Sequence, residues 1–289
     1  MISKFKVLTQ YIIPKQAITA LAGKLAQAEA GKLTTAVIRW FVQRYQVNMA
    51  EASQSNIQHY KSFNEFFTRP LKAGVRPLAK ADFVCPVDGA ISQLGDIKAD
   101  QIYQAKGHQY STLAMLAGDA KLAQQFENGH FATLYLSPKD YHRIHMPCAA
   151  TLKTMTYVPG DLFSVNPLTA QNVPGLFARN ERVICEFDST HGTFALILVG
   201  ATIVGSMATP WHGVVNPPRP GKVREWTYDD QDLSLKQGDE MGRFLLGSTV
   251  VLLWPKNTIA LNPAWQAAQG VRLGEKMGDD LRPQNARKD

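Results

Sequence analysis

The sequence predicts an α+β protein, with a mostly antiparallel, sandwich- or barrel-like β core that follows N-terminal amphipathic helices. Three observations support this fold class. Apolar residues recur at helical spacing in the first part of the chain. Further on, short segments rich in β-branched and aromatic residues are separated by Gly, Pro and Asn or Asp. These segments follow one another without regular intervening helices, which favours antiparallel pairing over a doubly wound sheet.

The composition is that of a globular protein with a sizeable core. The chain has 289 residues, of which 45% are hydrophobic and 19% charged, and this balance argues against a disordered protein. The net charge of +7 favours an anionic partner without choosing between lipid, nucleic acid and metabolite. The three cysteines form no C-x-x-C pair, which indicates reduced thiols and not a disulfide framework or a zinc ribbon: Cys85, Cys148 and Cys185.

The N-terminal region, residues 1–70, is predicted to be helical. Its first apolar stripe ends at Pro14, two further stripes follow, and a capping box at Ser62 opens a short helix. Lysines and arginines accompany the stripes, as in helices that lie on a membrane surface. The same pattern is typical of helices packed on a core, and both interpretations stay open here. The sequence shows neither an apolar run long enough to span a membrane nor a signal peptide.

Residues 71–268 are predicted to form the β-rich core and residues 269–289 a disordered tail. A connector rich in Pro, Gly and basic residues opens the core, and one helix capped by Ser111 is expected within it. The tail is polar, has mixed charges and lacks periodicity. The predicted strands lie at residues 83–87, 90–94, 131–136, 151–158, 183–187, 194–204 and 245–254.

A Gly247-Ser248 step interrupts the last of these apolar runs. Glycine inside a strand often marks a bulge or a close backbone approach, so one interpretation is a bulged strand with a hydrogen-bonded serine. The other is chemical, because a hydroxyl directly after a glycine can attack the preceding carbonyl if the backbone is strained. Taken alone, the stretch favours the first interpretation.

Two other loops carry residue types suited to proton transfer. Asp88 stands before a glycine, where an aspartate is usually only a turn former. His142 and His145 follow a predicted strand, but a zinc site is weakly supported because no third ligand stands at a familiar spacing. Histidine is suited to proton transfer near neutral pH. Since a triad is defined by geometry and not by chain order, Asp88, His145 and Ser248 are a candidate set.

Several blocks resemble those of the pyruvoyl-dependent phosphatidylserine decarboxylases of prokaryotic type. The sequence GDEMGRFLLGST at residues 238–249 is similar to the family's self-cleavage signature. FVCPVDG at 83–89 and YHRIHMP at 141–147 resemble its aspartate and histidine blocks. Residues 157–166 and 177–182 also look like family segments, and all the blocks occur in the family's order.

The resemblance implies a self-processing enzyme. In this family a serine such as Ser248 attacks the carbonyl before it, here that of Gly247. The chain splits into a large fragment, 1–247, and a small one, 248–289, which starts with a pyruvoyl group made from Ser248. This covalent cofactor forms a Schiff base with phosphatidylserine, which loses carbon dioxide and becomes phosphatidylethanolamine. Asp88 and His145 are implied to activate the serine. His142 is our candidate for protonating the product carbon.

The resemblance also implies partners and a location. We expect phosphatidylserine as substrate, an anionic membrane surface, a heterodimer of the two fragments with or without further oligomerisation, and neither nucleic acid nor a metal. The basic helices at residues 1 to about 45 would then dock on the bilayer, at the cytoplasmic face of the cell membrane.

Two other functions remain as alternatives. One is a Ser-His-Asp hydrolase with Ser248 as nucleophile, although the G-x-S-x-G elbow is missing from the sequence around it. The other is a β-sandwich phosphocarrier or binding module that uses His142 and His145.

Overall fold

A computed structural model describes residues 2–203, 206–217, 219, 221–246 and 248–282, with residues 2–6 and 248 as backbone only. The helices in these ranges are α1 (Ile2–Ile12), α2 (Lys15–Gln27), α3 (Lys32–Tyr45), α4 (Phe63–Phe67), α5 (Thr112–Met115), α6 (Ala120–Gln125), α7 (Pro167–Ala170) and α8 (Leu176–Arg179). Short 3₁₀ turns lie at Met49–Glu51 and Ile57–His59.

The strands are β1 (Phe83–Val84), β2 (Gly89–Asp96), β3 (Gln101–Ala105), β4 (His108–Ser111), β5 (His130–Leu136), β6 (Arg143–His145), β7 (Ala150–Val158), β8 (Arg182–Asp188), β9 (Phe194–Val199), β10 (Met207–Thr209), β11 (Gly213–Val214), β12 (Arg224–Thr227), β13 (Ser234–Leu235), β14 (Glu240–Phe244), β15 (Ser248–Trp254), β16 (Ile259–Leu261), β17 (Gly270–Val271) and β18 (Lys276–Asp280).

The core is a large antiparallel sheet, so the predicted α+β fold class is confirmed. Its strand order in the described chain is β12-β7-β8-β9-β15-β5-β2-β17, and β13 also pairs with β7. Smaller sheets have the orders β11-β10-β14-β6 and β1-β18-β16, and β3 and β4 form a hairpin. β9 and β15 lie inside the large sheet, and residues 194–199 and 250–254 are buried along their whole length. Burial on both faces explains why these strands read as continuous apolar runs without alternation.

Two helix boundaries in the N-terminal region lie where the sequence signals predict. Pro14 lies between α1 and α2, and the Ser62 hydroxyl caps α4 by accepting from the Glu65 amide at 3.1 Å. Ile38 and Phe41 of α3 are buried against an aromatic cluster that includes Phe66 and Phe67. The packing interpretation therefore holds for this face of α3. α1 and α2 instead leave most of their large apolar side chains in solvent: Leu8, Tyr11, Ile12, Ile18, Leu21 and Leu25.

The predicted disordered tail is wrong for residues 270–282, which fold onto the core. β17 pairs with β2, and β18 lies between β1 and β16. Val271 and Met277 are buried there, so pairing and side-chain burial offset the polar composition of this segment. The strands are short and contain Gly and charged residues, which hides them from periodicity. Residues 283–289 lie outside the described part.

The single helix predicted after Ser111 is also wrong, because two short helices form. Ala117 and Gly118 adopt positive φ angles of 61° and 88°, and this turn ends α5. Asp119 then caps α6 by accepting from the Leu122 amide at 3.0 Å.

Candidate active site

The expected cleavage site, the bond between Gly247 and Ser248, lies where β15 begins in the large sheet. Gly247 lies outside the described residues, and Ser248 is described by its backbone alone. Ser248 is the first residue of β15 and stands opposite Leu136 of β5, while Thr249 pairs with Val199 of β9. Residue 248 is therefore held at the end of an interior strand.

Asp88 lies at the same end of this sheet. The next residue, Gly89, begins β2, which is separated from β15 only by β5. A Cβ atom on Gly89 would come within 2.4 Å of the Tyr135 carbonyl oxygen, so only glycine permits this close approach to β5. Two strand spacings separate Gly89 from Ser248, which is about 10 Å.

Arg76 holds the Asp88 carboxylate in a buried ion pair. Its Nε lies 2.9 and 3.1 Å from the two carboxylate oxygens, and a terminal nitrogen lies 2.6 Å from Oδ2. The same guanidinium donates to Glu51 at 2.6 Å, and the Leu273 amide donates to Asp88 at 2.9 Å. The hydrogen bond to Asp88 is the main reason why the pKa of Arg76 is raised, and the bond from Arg76 lowers the pKa of Glu51.

His145 is a neutral imidazole whose tautomer is set by its two partners. Its Nδ1 lies 2.7 Å from the Gly238 carbonyl oxygen, which can only accept, so Nδ1 carries the hydrogen. Its Nε2 lies 3.1 Å from the Tyr141 hydroxyl. Burial raises the pKa of Tyr141 to about 12, so this hydroxyl stays protonated and donates a hydrogen bond to Nε2. Burial also lowers the pKa of His145.

No direct hydrogen bond joins Asp88 to His145 among the contacts of the described residues. The two loops are nevertheless adjacent, because the His145 amide donates to the Pro86 carbonyl at 2.9 Å. The hydrogen bond to Gly238 opposes part of the effect of burial on the pKa of His145, as do the charge of Glu240 and, to the smallest extent, that of Asp88.

His142 is fully buried, and one of its ring nitrogens lacks a hydrogen-bond partner among the described residues. Its Nδ1 donates to the Asp140 carbonyl at 2.8 Å, and its ring packs against Phe67 with the centroids 4.0 Å apart. Nε2 has no hydrogen-bond partner within the described residues. Burial lowers the pKa of His142 to about 3, so the ring is neutral at pH 7 and Nε2 is an acceptor. The His142 carbonyl accepts from the Phe244 amide at 3.1 Å, shortly before Ser248 in the chain.

Two cavities flank this end of the sheet. The larger, of about 980 Å³, is bounded by Arg76, Asp88 and Tyr141 among others. The smaller, of about 270 Å³, lies between α2 and the segment Leu245 and Leu246.

Sequence reasoning missed several residues that organise the site. Arg76 stood in a segment interpreted only as a connector, and Tyr141 stood inside the histidine block without an assigned role. Glu240 joins Arg143 at 2.8 Å to Arg243 at 2.7 Å and so ties β6 to β14. The acidic and basic residues that stand together in GDEMGRF and YHRIHMP could have predicted these ion pairs.

Within the described ranges, no cluster of His, Cys, Asp or Glu side chains is arranged to hold a metal ion. In the same part of the chain, we find no helix with the length and apolarity that crossing a bilayer requires.

A family model described as "Phosphatidylserine decarboxylase" matches residues 63–279, a range that contains Asp88, both histidines and Ser248. The chain belongs to the phosphatidylserine decarboxylase family. A second family model, described as "PSD", matches residues 5–46, so the N-terminal helices resemble family sequences as well.

Curated members of this family align with nearly the whole chain. The phosphatidylserine decarboxylase proenzyme of Dechloromonas aromatica (strain RCB) is 70% identical over 280 residues, which is 97% of this chain and 99% of the relative. Those of Delftia acidovorans (strain DSM 14801 / SPH-1) and Azoarcus sp. (strain BH72) are 66% and 64% identical. These two alignments cover 96% of this chain and 98% and 97% of the relatives.

Proposed function

We propose that this protein decarboxylates phosphatidylserine to phosphatidylethanolamine and carbon dioxide, after it cuts itself between Gly247 and Ser248. The observation that carries the proposal is the convergence of Asp88, His142 and His145 on the end of the sheet where Ser248 begins β15. Membership of the phosphatidylserine decarboxylase family supports the reaction.

His145 is suited to act as the base in the first step. Serine attacks a carbonyl only when its proton is removed, and burial keeps His145 neutral so that Nε2 can accept that proton. The Gly238 carbonyl fixes the tautomer, a task that the carboxylate performs in many triads. The Tyr141 hydroxyl must turn away from Nε2 when the serine proton arrives. The negative charges of Glu240 and, to a smaller extent, Asp88 then stabilise the imidazolium that forms.

The second step requires a covalent pyruvoyl group derived from Ser248, and the surroundings fit such a group. A pyruvoyl group supplies an electron sink that allows a bound amino acid headgroup to lose its carboxylate. Backbone pairing of β15 with β5 and β9 would keep residue 248 in place after the cut. The unpartnered His142 Nε2 is a buried polar atom that the described side chains leave unsatisfied, as expected for an atom that contacts substrate.

His142 can both take up and release the proton that the product carbon needs. An anionic headgroup beside the ring raises its low pKa, because a nearby negative charge favours the protonated form. When the carboxylate leaves as neutral carbon dioxide, the electron pair of the broken C–C bond stays behind, where the electron sink would take it up. The carbon that bore the carboxylate becomes basic, and the pKa of the His142 ring is no longer raised by a carboxylate. The proton on Nε2 is then delivered to the carbon that lost the carboxylate.

The two fragments would remain together as a heterodimer. The small fragment contains β15, which is paired on both sides within the large sheet, and β18, which is paired with β1 of the large fragment. The side chains of residues 250–254 are fully buried, so separating the fragments would expose a large apolar surface.

The substrate would be reached from the membrane through the N-terminal helices. Of the 17 exposed large hydrophobic side chains in the described part, ten lie between residues 8 and 40. Ile12 is 79% exposed, Leu25 66% and Leu33 65%. Exposed Lys24, Lys32 and Arg39 accompany them. Apolar side chains beside cations suit the surface of an anionic bilayer.

Mass spectrometry of the purified protein under denaturing conditions tests the proposal. We expect two chains, 1–247 and 248–289, with a blocked N-terminus on the smaller. Ser248→Ala should give one uncut chain without decarboxylase activity, whereas Ser234→Ala, at an exposed position, should cut normally. A single uncut chain with full activity on phosphatidylserine would contradict the mechanism. Docking is tested by sedimentation with anionic vesicles, which a chain without residues 1–45 should fail to bind.

A further inference from the structure

The cavity of about 270 Å³ lies between the proposed docking helices and the cleavage segment. Leu245 and Leu246 form part of its wall, directly before Gly247 and Ser248 in the chain. Two residues of extended chain span at most about 7 Å, so the cavity ends close to the residue that becomes the pyruvoyl group. Another part of the wall is one face of α2, formed by Thr19, Ala20, Gly23, Lys24 and Gln27.

The charge of the described cavity wall is positive. Lys24 and Arg219 contribute cations, and no carboxylate is among the described residues that line the cavity. Arg219 donates to Glu181 behind the wall, with Nε 2.9 Å from Oε1, and this pair fixes its position. Lys24 forms no ion pair within the described part of the chain, so its ammonium remains the main attraction for an anion.

The cavity is large enough for part of a lipid molecule but too small for a whole one. Pockets that enclose drug-sized ligands measure about 300 to 1,000 Å³, so this one has room for a polar headgroup but not for two acyl chains. The acyl chains can lie outside the cavity, because another face of α2 exposes the apolar side chains Ile18, Leu21 and Leu25. With α2 on the bilayer surface, a headgroup can enter beside the helix while its acyl chains stay in the lipid.

Helix α4 connects the cavity to the catalytic histidine. Asn64 lines the cavity, and its Oδ1 is buried without a hydrogen-bond partner among the described residues. From the same helix, Phe67 packs on the ring of His142. An unsatisfied buried acceptor in a cavity wall is costly unless a ligand donates to it, and an ammonium group is such a donor.

We propose that this cavity is the headgroup subsite for phosphatidylserine, in which Lys24 contacts the phosphate and the amino group points past Asn64 towards residue 248. The inference rests on the proposed decarboxylation and names the residues that recognise its substrate. Lys24 lies on the membrane-facing helix, where a phosphate stays at the level of the bilayer surface. Leu245 and Leu246 bring the cavity wall to within three residues of Ser248, where the reacting amine is needed.

The experiment measures inhibition by sn-glycero-3-phosphoserine, a headgroup without acyl chains, during decarboxylation of phosphatidylserine in neutral detergent micelles. We expect Lys24→Gln to raise both the inhibition constant and KM about fivefold to tenfold, between the effects of losing an exposed ion pair and a charge-assisted hydrogen bond. kcat should stay within about twofold, and cleavage should be complete. Lys24→Glu should raise both constants further, and Lys24→Arg should restore them.

Lys256→Gln is the matched control, since it removes the same charge from an exposed turn after the far end of β15. It should behave as the unmodified protein does. Unchanged inhibition and KM in Lys24→Gln and Lys24→Glu would overturn the subsite while cleavage and activity still supported the proposed function. An unmodified protein that neither cuts itself nor releases carbon dioxide would instead overturn the proposed function.

Discussion

Replacing Arg76 by Met should strongly destabilise the protein, because it leaves a buried carboxylate without its cation. The side chains of Arg76 and Asp88 are only 9% and 10% exposed, and the guanidinium makes three contacts of 2.6 to 3.1 Å with the carboxylate. Breaking such a buried pair from one side typically costs about 3 to 5 kcal/mol in the free energy of unfolding. The Leu273 amide alone would then neutralise little of the Asp88 charge.

The measurement is best made on Ser248→Ala, since an uncut chain unfolds as one molecule. Thermal unfolding followed by tryptophan fluorescence should show a fall in Tm of about 6 to 20 °C for Arg76→Met, given roughly 2 to 4 °C per kcal/mol for a protein of this size class. Unfolding in urea gives the free energy where the transition is reversible.

Arg272→Met is the control, because Arg272 also faces Glu51 but is 64% exposed and 3.9 Å away. An exposed pair of this kind contributes at most about 1 kcal/mol, so its Tm should change by less than about 4 °C. Equal losses in the two variants would refute the reasoning that burial gives the Arg76 pair its importance.

Three further predictions concern the same end of the sheet. Gly89→Ala should lower the unfolding free energy by about 1 to 3 kcal/mol or more, measured in urea, because the new methyl group meets the Tyr135 carbonyl at 2.4 Å; an unchanged transition would contradict this close approach. Burial lowers the pKa of His142 from 6.5 to about 3, so below pH 6.5 the unfolded state binds more protons than the folded state. The stability of the folded state therefore falls as the pH drops below 6.5. His142→Asn in the uncut background should therefore remove about 2 kcal/mol of the loss in unfolding free energy between pH 7 and 5, and identical pH slopes would disprove it. Tyr141→Phe removes the hydroxyl that donates to Nε2 of neutral His145, so the pKa of that ring and the pH midpoint of self-cleavage should rise; an unshifted midpoint would show that the hydroxyl does not act on that ring.

Local signals in the sequence predicted the N-terminal helices and the interior strands of the large sheet. Pro14 and the Ser62 cap mark their helix boundaries because each acts on its own backbone neighbourhood. The short strands after residue 269 were not predicted, because their stability comes from pairing with other strands. β17 pairs with β2 at the edge of the large sheet, and β18 pairs with β1 and β16. No local pattern encodes such partners.

The residue types of the candidate site were easier to find than their contacts. Asp88, His142 and His145 stand out as titratable groups in loops, so the sequence named them. The partner of His145 Nδ1 is a backbone carbonyl 93 residues away, at Gly238, and a carbonyl has no sequence signature. Arg76 is equally hidden, because nothing in the chain marks which of its arginines meets a given carboxylate.

If the chain is cut before Ser248 as proposed, the interior position of β15 makes folding an event that happens once in the life of each molecule. Before the cut, the strand is tethered to its neighbours by the polypeptide, so its insertion between β5 and β9 is intramolecular. After the cut, an unfolded molecule would have to find its lost strand by diffusion, and the rate would depend on protein concentration. At cellular dilution such a molecule would aggregate or be degraded before it reassembled. The working life of the mature enzyme is thus set by how slowly it unfolds, and no longer by the balance between folding and unfolding.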